Sequence, residues 1–247
     1  MDIDAHLDGL REALDRFATC IESADWDAPV PTAPGWDVRR LVAHQGMVHR
    51  WATATIEGRE VDPAVFEQEG LVARDLLQWL SEGAEPLVEA LLSAPDDLDV
   101  PVFLHDAPPA RAFWARRQCH ETTIHAVDAL GAALGRRPHA EDTWIGRDLA
   151  LDGIDELLTG FLPRRKSRLR TAGPMSFAVL PDGAEERWLV TTGQEPPVTT
   201  RGAGDATADV VLRGTPVALY LAVWNRSDEV SAPGFELWSE HARVVWS

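Results

Sequence analysis

Cysteine is nearly missing from this chain, and so is excess positive charge. Only Cys20 and Cys119 occur in 247 residues, too few for a disulfide framework. They fall on separate expected helices, so two reduced thiols are the expectation. Lys and Arg total 23 against 40 Asp and Glu, for a net charge of −17. Nucleic acids and anionic membrane surfaces are held by clustered cations, so neither is an expected partner. No apolar run approaches the roughly 20 residues a membrane-spanning helix needs. The first residues, MDIDAHLDGLREALDRF, carry early acids and lack a basic start followed by an apolar stretch. No secretion signal is therefore expected, and a cytoplasmic location is. Tyrosine occurs once, whereas tryptophan occurs ten times.

The hydrophobic fraction, 45%, is ample for a core. Through the first two-thirds its spacing is helical. Ile3, Leu7, Leu10, Leu14, Phe17 and Ile21 form one stripe over residues 3–23. DWDAPVPTAPGW (25–36) breaks it. Asp37 then caps a helix to about Glu57. A third helical stretch covers 67–93, with a kink or break expected at Gly83 and Pro86. A fourth spans 110–134 and ends at GRRP, and a fifth covers 143–162. Beyond that, MSFAVL (175–180), RWLVTTG (187–193), PPVTTR (196–201) and ADVVLRG (208–214) read as strands between turn residues. TPVALYLAVWNR (215–226) returns to helix, and ARVVWS (242–247) reads as a last strand. The expected architecture is α+β: an up-down four-helix bundle over residues 1–163 and a small α+β domain over 164–247. The boundary is expected near 163–173.

The chemistry concentrates in two segments, WDVRRLVAHQGMVHRW (36–51) and RRQCHETTIHAVDA (116–129). Residues four apart on a helix lie about 40° apart on the wheel. Glu121 and His125 therefore face the same way and can share one ion, with Asp128 on the same face. His44 and His49 are five apart and diverge by about 140°, as do His120 and His125. Each such pair supplies at most one ligand to a site. The HExxH protease motif needs its histidines four apart, and HETTIH is one residue too long. A third ligand must come from another helix, and His44 is the best placed. One carboxylate and two imidazoles suit zinc with an open position, and also nickel or iron(II). His49 or Asp128 can move a proton or orient a ligand.

Four segments resemble the mycothiol-dependent maleylpyruvate isomerase family of actinobacteria, which belongs to the DinB-like metal-binding bundles. They are PGWDVRRLVAHQGMVHRWA (34–52), FWARRQCHETTIHAVDA (113–129), LDGIDELLTGFLP (151–163) and ADVVLRGTPVALYLAVWNR (208–226). The resemblance implies a divalent metal, zinc foremost, on His44, Glu121 and His125. It implies a sterol-carrier-like C-terminal domain in which Arg226 helps to bind the anionic thiol cofactor or substrate. It implies a reaction between a small thiol, mycothiol or a relative, and a small electrophile, by isomerisation or S-transfer. Where many relatives carry an Arg-Trp pair after the second histidine, this chain has Ala126-Val127. A metal-binding protein without catalysis and a thiol-independent hydrolase are the other classes the residues admit.

Overall fold

The computed structural model describes residues 1–22, 24–202 and 207–242. The chain forms two compact units. The first comprises Met1–Phe103 and Ala107–Arg137, and the second Leu104–Asp106 and Pro138–Ser247. The division thus falls well before the expected boundary near 163–173. Residues 138–163 pack with the later helices and strands of the second unit.

The first unit holds α1 (Ile3–Glu22), α2 (Val38–Ile56), α3 (Pro63–Leu71), α4 (Leu76–Ser93) and α5 (Ala110–Leu134). Helix α1 buries Leu7, Leu10, Phe17 and Ile21, the stripe its spacing predicts. The Asp37 carboxylate accepts from the Arg40 N–H and starts α2. Gly135, at φ 66°, ends α5 in the left-handed region that glycine adopts without strain. Four of the helices form the bundle, and the short α3 lies on α2. Helices α2 and α5 run antiparallel. His44 faces Glu121, and two turns further along α2 Trp51 faces Trp114.

The third helical stretch departs from expectation. Its break lies at 72–75, where the Asp75 carboxylate accepts from Gln78 N–H and starts α4 afresh. Pro86 sits inside α4, and Gly83 is a packing residue. Arg50 of α2 lies 3.4 Å over the Trp79 ring of α4. Gly46, Gly70 and Gly83, one on each of three helices, make room for that stack. A Cβ on Gly70 would stand 2.7 Å from Trp79 Nε1 and 2.9 Å from Ala43 Cα. The second neighbour is backbone and cannot swing aside. Gly70→Ala should therefore lower stability by about 1–3 kcal/mol, despite alanine's better helix propensity. Urea unfolding reads this; an unchanged or raised midpoint would show that α3 yields at no cost.

The second unit begins with a 3₁₀ turn (Ala140–Asp142) and α6 (Arg147–Asp155). The expected helix over 143–162 is shorter and changes pitch. Glu156–Phe161 is π-helical, and the Leu162 N–H reaches back five residues to the Leu157 carbonyl. Strands β1 (Met175–Pro181), β2 (Trp188–Thr192), β3 (Val198–Arg201) and β4 (Val210–Gly214) form a sheet in the order β3-β2-β1-β4. Strand β1 pairs antiparallel with β2 and parallel with β4. Helices α7 (Pro216–Val223) and α8 (Glu236–His241) follow. The Asp155 carboxylate takes Trp188 Nε1 at 2.9 Å and Arg201 Nε at 2.6 Å, tying α6 to two strands. Trp224 Nε1 donates to the Gly153 carbonyl at 3.0 Å, pinning the end of α7 to α6. The last expected strand, 242–247, falls almost wholly on residues outside those described. Among the described residues, no helix is long and apolar enough to cross a membrane.

Candidate metal centre

In the first unit, His44 of α2 meets Glu121 and His125 of α5, and all three side chains are buried. Glu121 Oε1 lies 3.8 Å from His44 Nε2 and 3.3 Å from His125 Nε2. One ligand atom from each of the three residues falls within 4.8 Å of the others. A tetrahedral zinc ion with bonds near 2.0–2.1 Å would set its ligand atoms about 3.3 Å apart. Among the described residues, His44 Nε2 and Glu121 Oε1 have no hydrogen-bond partner although both are buried. Two orphaned lone-pair donors aimed at one point cost free energy unless a cation joins them. The donor set therefore fits a divalent ion.

The surroundings are built for the same set. Asp128, fully buried, takes the His125 Nδ1 proton at 2.9 Å and leaves Nε2 to face Glu121. This fixes the tautomer a metal-ligating imidazole needs. Arg117, 1% exposed, donates to Glu121 Oε2 at 3.0 Å. Trp36 forms one wall: its ring meets His44 edge-on at 4.9 Å and stacks on His125 at 6.1 Å, with planes 12° apart. Glu67 of α3 is near enough to act electrostatically on His44.

Burial pushes the Glu121 carboxyl up, but the His125 and His44 imidazoles and the Arg117 guanidinium outweigh it. They hold it well below the usual carboxylate range. Burial lowers His44, against the pull of Glu121. Burial acts downward on His125 too, yet the Asp128 hydrogen bond and Glu121 raise it to about 9.

The remaining histidines divide as helix geometry requires. His120 turns from the cluster toward α1, where its ring meets His6 edge-on at 6.1 Å. His49 also lies outside the cluster. Its Nε2 is 2.7 Å from Gln45 Nε2 and 3.1 Å from Thr122 Oγ1, in a buried network between α2 and α5. Burial pushes His49 down to about 3. In the unfolded chain its pKa is near 6.5, so the unfolded state binds the extra proton first as pH falls. Stability from this group is whole above pH 6.5 and is lost as pH drops toward 3. Between pH 7 and 5 the loss is about 2 kcal/mol. In chelator, the native chain should lose that much more stability than His49→Gln over this range, by urea unfolding at both pH values. Equal losses would mean that His49 is hydrated.

Arg226 lies in the second unit just after α7. It follows Asn225, at φ 61°, and its Nη1 donates to the Trp224 carbonyl at 2.7 Å. Ala126 and Val127 are fully buried. Trp114 packs edge to face with Trp51 and with Phe103, and the three rings line a cavity of about 870 Å³ in the first unit. Sequence reasoning missed Arg117 as a partner of the site. Its spacing of four from Glu121 was the available signal.

Comparison with known proteins adds a family. The model of the mycothiol maleylpyruvate isomerase N-terminal domain matches residues 7–130. The model of that family's C-terminal domain matches residues 148–242. Two solved structures share the fold. One is a crystal structure of the mycothiol-dependent maleylpyruvate isomerase, at 16% identity and TM-score 0.61. The other is a histidine-to-alanine variant of that enzyme, at 15% identity and TM-score 0.63. Each alignment covers 94% of this chain and 93% of the other. A search of curated proteins gave no match.

Proposed function

The chain belongs to the mycothiol-dependent maleylpyruvate isomerase family, and from that premise we propose that it is a metal-dependent enzyme of the cytoplasm that joins a small thiol to a small electrophile. The thiol is mycothiol or a relative, and the outcome is isomerisation or S-transfer. The observation that carries the reading is the meeting of His44, Glu121 and His125 with two buried lone-pair atoms left over.

Two imidazoles and one carboxylate favour zinc and leave a fourth position for an outside ligand. Bound there, the ion would lower the pKa of a thiol and hold it as thiolate at neutral pH. The chain's own residues supply the rest. His44 crosses from α2 to complete a ligand set that α5 alone cannot make. Asp128 orients His125 through Nδ1. Trp36 covers the two imidazoles on one side and keeps water from them. Arg226 is the second unit's candidate for holding an anionic group of the thiol or substrate. His49, kept neutral by burial, locks α2 to α5 beside the ligands rather than exchanging protons at neutral pH. With alanine and valine at 126 and 127, both fully buried, no cation or large aromatic side chain follows His125.

The test is metal analysis of the native protein, then turnover of conjugated electrophiles with and without added thiol. About one zinc per chain and strictly thiol-dependent turnover are expected. Turnover without thiol would point to activated water and a hydrolase. No bound ion after reconstitution with zinc, nickel and iron(II) would end the proposal.

A further inference from the structure

Arg117 and Glu121 form an ion pair one helical turn apart on α5. On a solvated helix such a pair contributes little and asks for no function. This one is different, because Arg117 is 1% exposed and Glu121 6%. Burying a guanidinium forfeits its hydration, and an apolar side chain of similar size would fill the space at lower cost. The use of the charge lies in how the two carboxylate oxygens are shared. Oε2 takes the guanidinium Nη2 at 3.0 Å, while Oε1 faces His125 Nε2 at 3.3 Å and His44 Nε2 at 3.8 Å.

We propose that Arg117 is a positioning residue that holds Glu121 as a one-oxygen ligand and so keeps one coordination position open for an anion. The inference rests on the metal-dependent reading above. A carboxylate free to turn can offer both oxygens to an ion, and with two imidazoles it would then complete a four-coordinate shell. With Oε2 engaged by a charge-assisted hydrogen bond, only Oε1 is available. The guanidinium also offsets the Glu121 charge. A divalent ion beside Glu121 therefore draws an incoming anion more strongly with Arg117 present than without it, in a setting where charge is weakly screened.

The experiment loads the native protein and the Arg117→Met, Arg117→Gln and Arg117→Lys variants with cobalt(II). It measures the bound metal, then titrates thiocyanate into the visible cobalt spectrum. The native protein should bind about one cobalt and show a saturable thiocyanate-dependent change. Arg117→Met should still bind cobalt, with an altered starting spectrum and roughly tenfold weaker thiocyanate binding. Arg117→Lys keeps a cationic donor at this spacing and should stay within about threefold of native. Should Arg117→Met not fold, Arg117→Gln carries the same expectation, since it too lacks the charge. A native spectrum and thiocyanate affinity in the neutral variants would overturn the assignment and leave the metal reading standing. So would a lysine variant as impaired as the neutral ones. A native protein that binds no cobalt would remove both.

Discussion

His44→Ala should abolish stoichiometric metal binding while leaving the metal-free fold nearly as stable as before. The reason lies in what each ligand does without the ion. His44 Nε2 is buried and has no hydrogen-bond partner among the described residues, so removing the imidazole also removes an unsatisfied polar atom. That gain offsets part of the void it leaves. In chelator, the two proteins should unfold within about 1 kcal/mol of each other. With metal they should part. A full protein set of ligands contributes on the order of 10 kcal/mol to zinc binding, so losing one of three should weaken it by roughly 3 kcal/mol, or more than a hundredfold. Zinc should therefore raise the melting temperature of the native protein and not that of the variant.

Glu121→Ala separates the roles further. It loses the metal as well, but it also removes the carboxylate to which the buried Arg117 donates. Breaking one side of a buried ion pair typically costs about 3–5 kcal/mol. This variant should be destabilised even in chelator, where His44→Ala is not. The pair of measurements distinguishes a metal centre from an ordinary buried polar cluster. In a mere cluster, neither variant would change the response to zinc.

The reach of the sequence can be judged at these same residues. Period-four spacing put Glu121 and His125 on one face of a helix, and α5 bears that out. His49 and His120 stand outside the cluster because five-residue spacing turns them away. The boundaries of α1, α2 and α5 were legible because apolar spacing, the Asp37 cap and Gly135 agree. The break at 72–75 was not. Gly83 and Pro86 are stronger signals in isolation, but Gly83 is fixed by the Arg50–Trp79 stack, a contact between helices that local propensity does not contain. The division of the chain at 137/138 is illegible locally for the same reason. Residues 147–162 look like another bundle helix until their partner, α7, is known. The burial of Arg117 was hidden because an arginine four residues before a glutamate reads as a solvated pair.

Asp128→Asn should weaken metal binding by about 10–100-fold without removing any ligand. Asp128 is fully buried and accepts the His125 Nδ1 proton at 2.9 Å. The carboxylate does two things there. It holds the ring in the tautomer that leaves Nε2 with a lone pair for the ion, and its charge makes that nitrogen a stronger donor. Asparagine fills nearly the same space and can still accept through its carbonyl oxygen, so the orientation survives and the charge is lost. Metal affinity measured against a chromophoric chelator should fall, while zinc stoichiometry at saturation stays at about one. In the metal-free protein the His125 ring should also lose its proton at lower pH, because the Asp128 hydrogen bond is the leading influence holding it above the ordinary histidine value. NMR of the imidazole would read that shift. If affinity instead stays within twofold, the buried charge of Asp128 is there to offset Arg117 rather than to tune His125. The drop in affinity would then appear with Asp128→Ala only through lost packing, accompanied by a lower melting temperature in chelator.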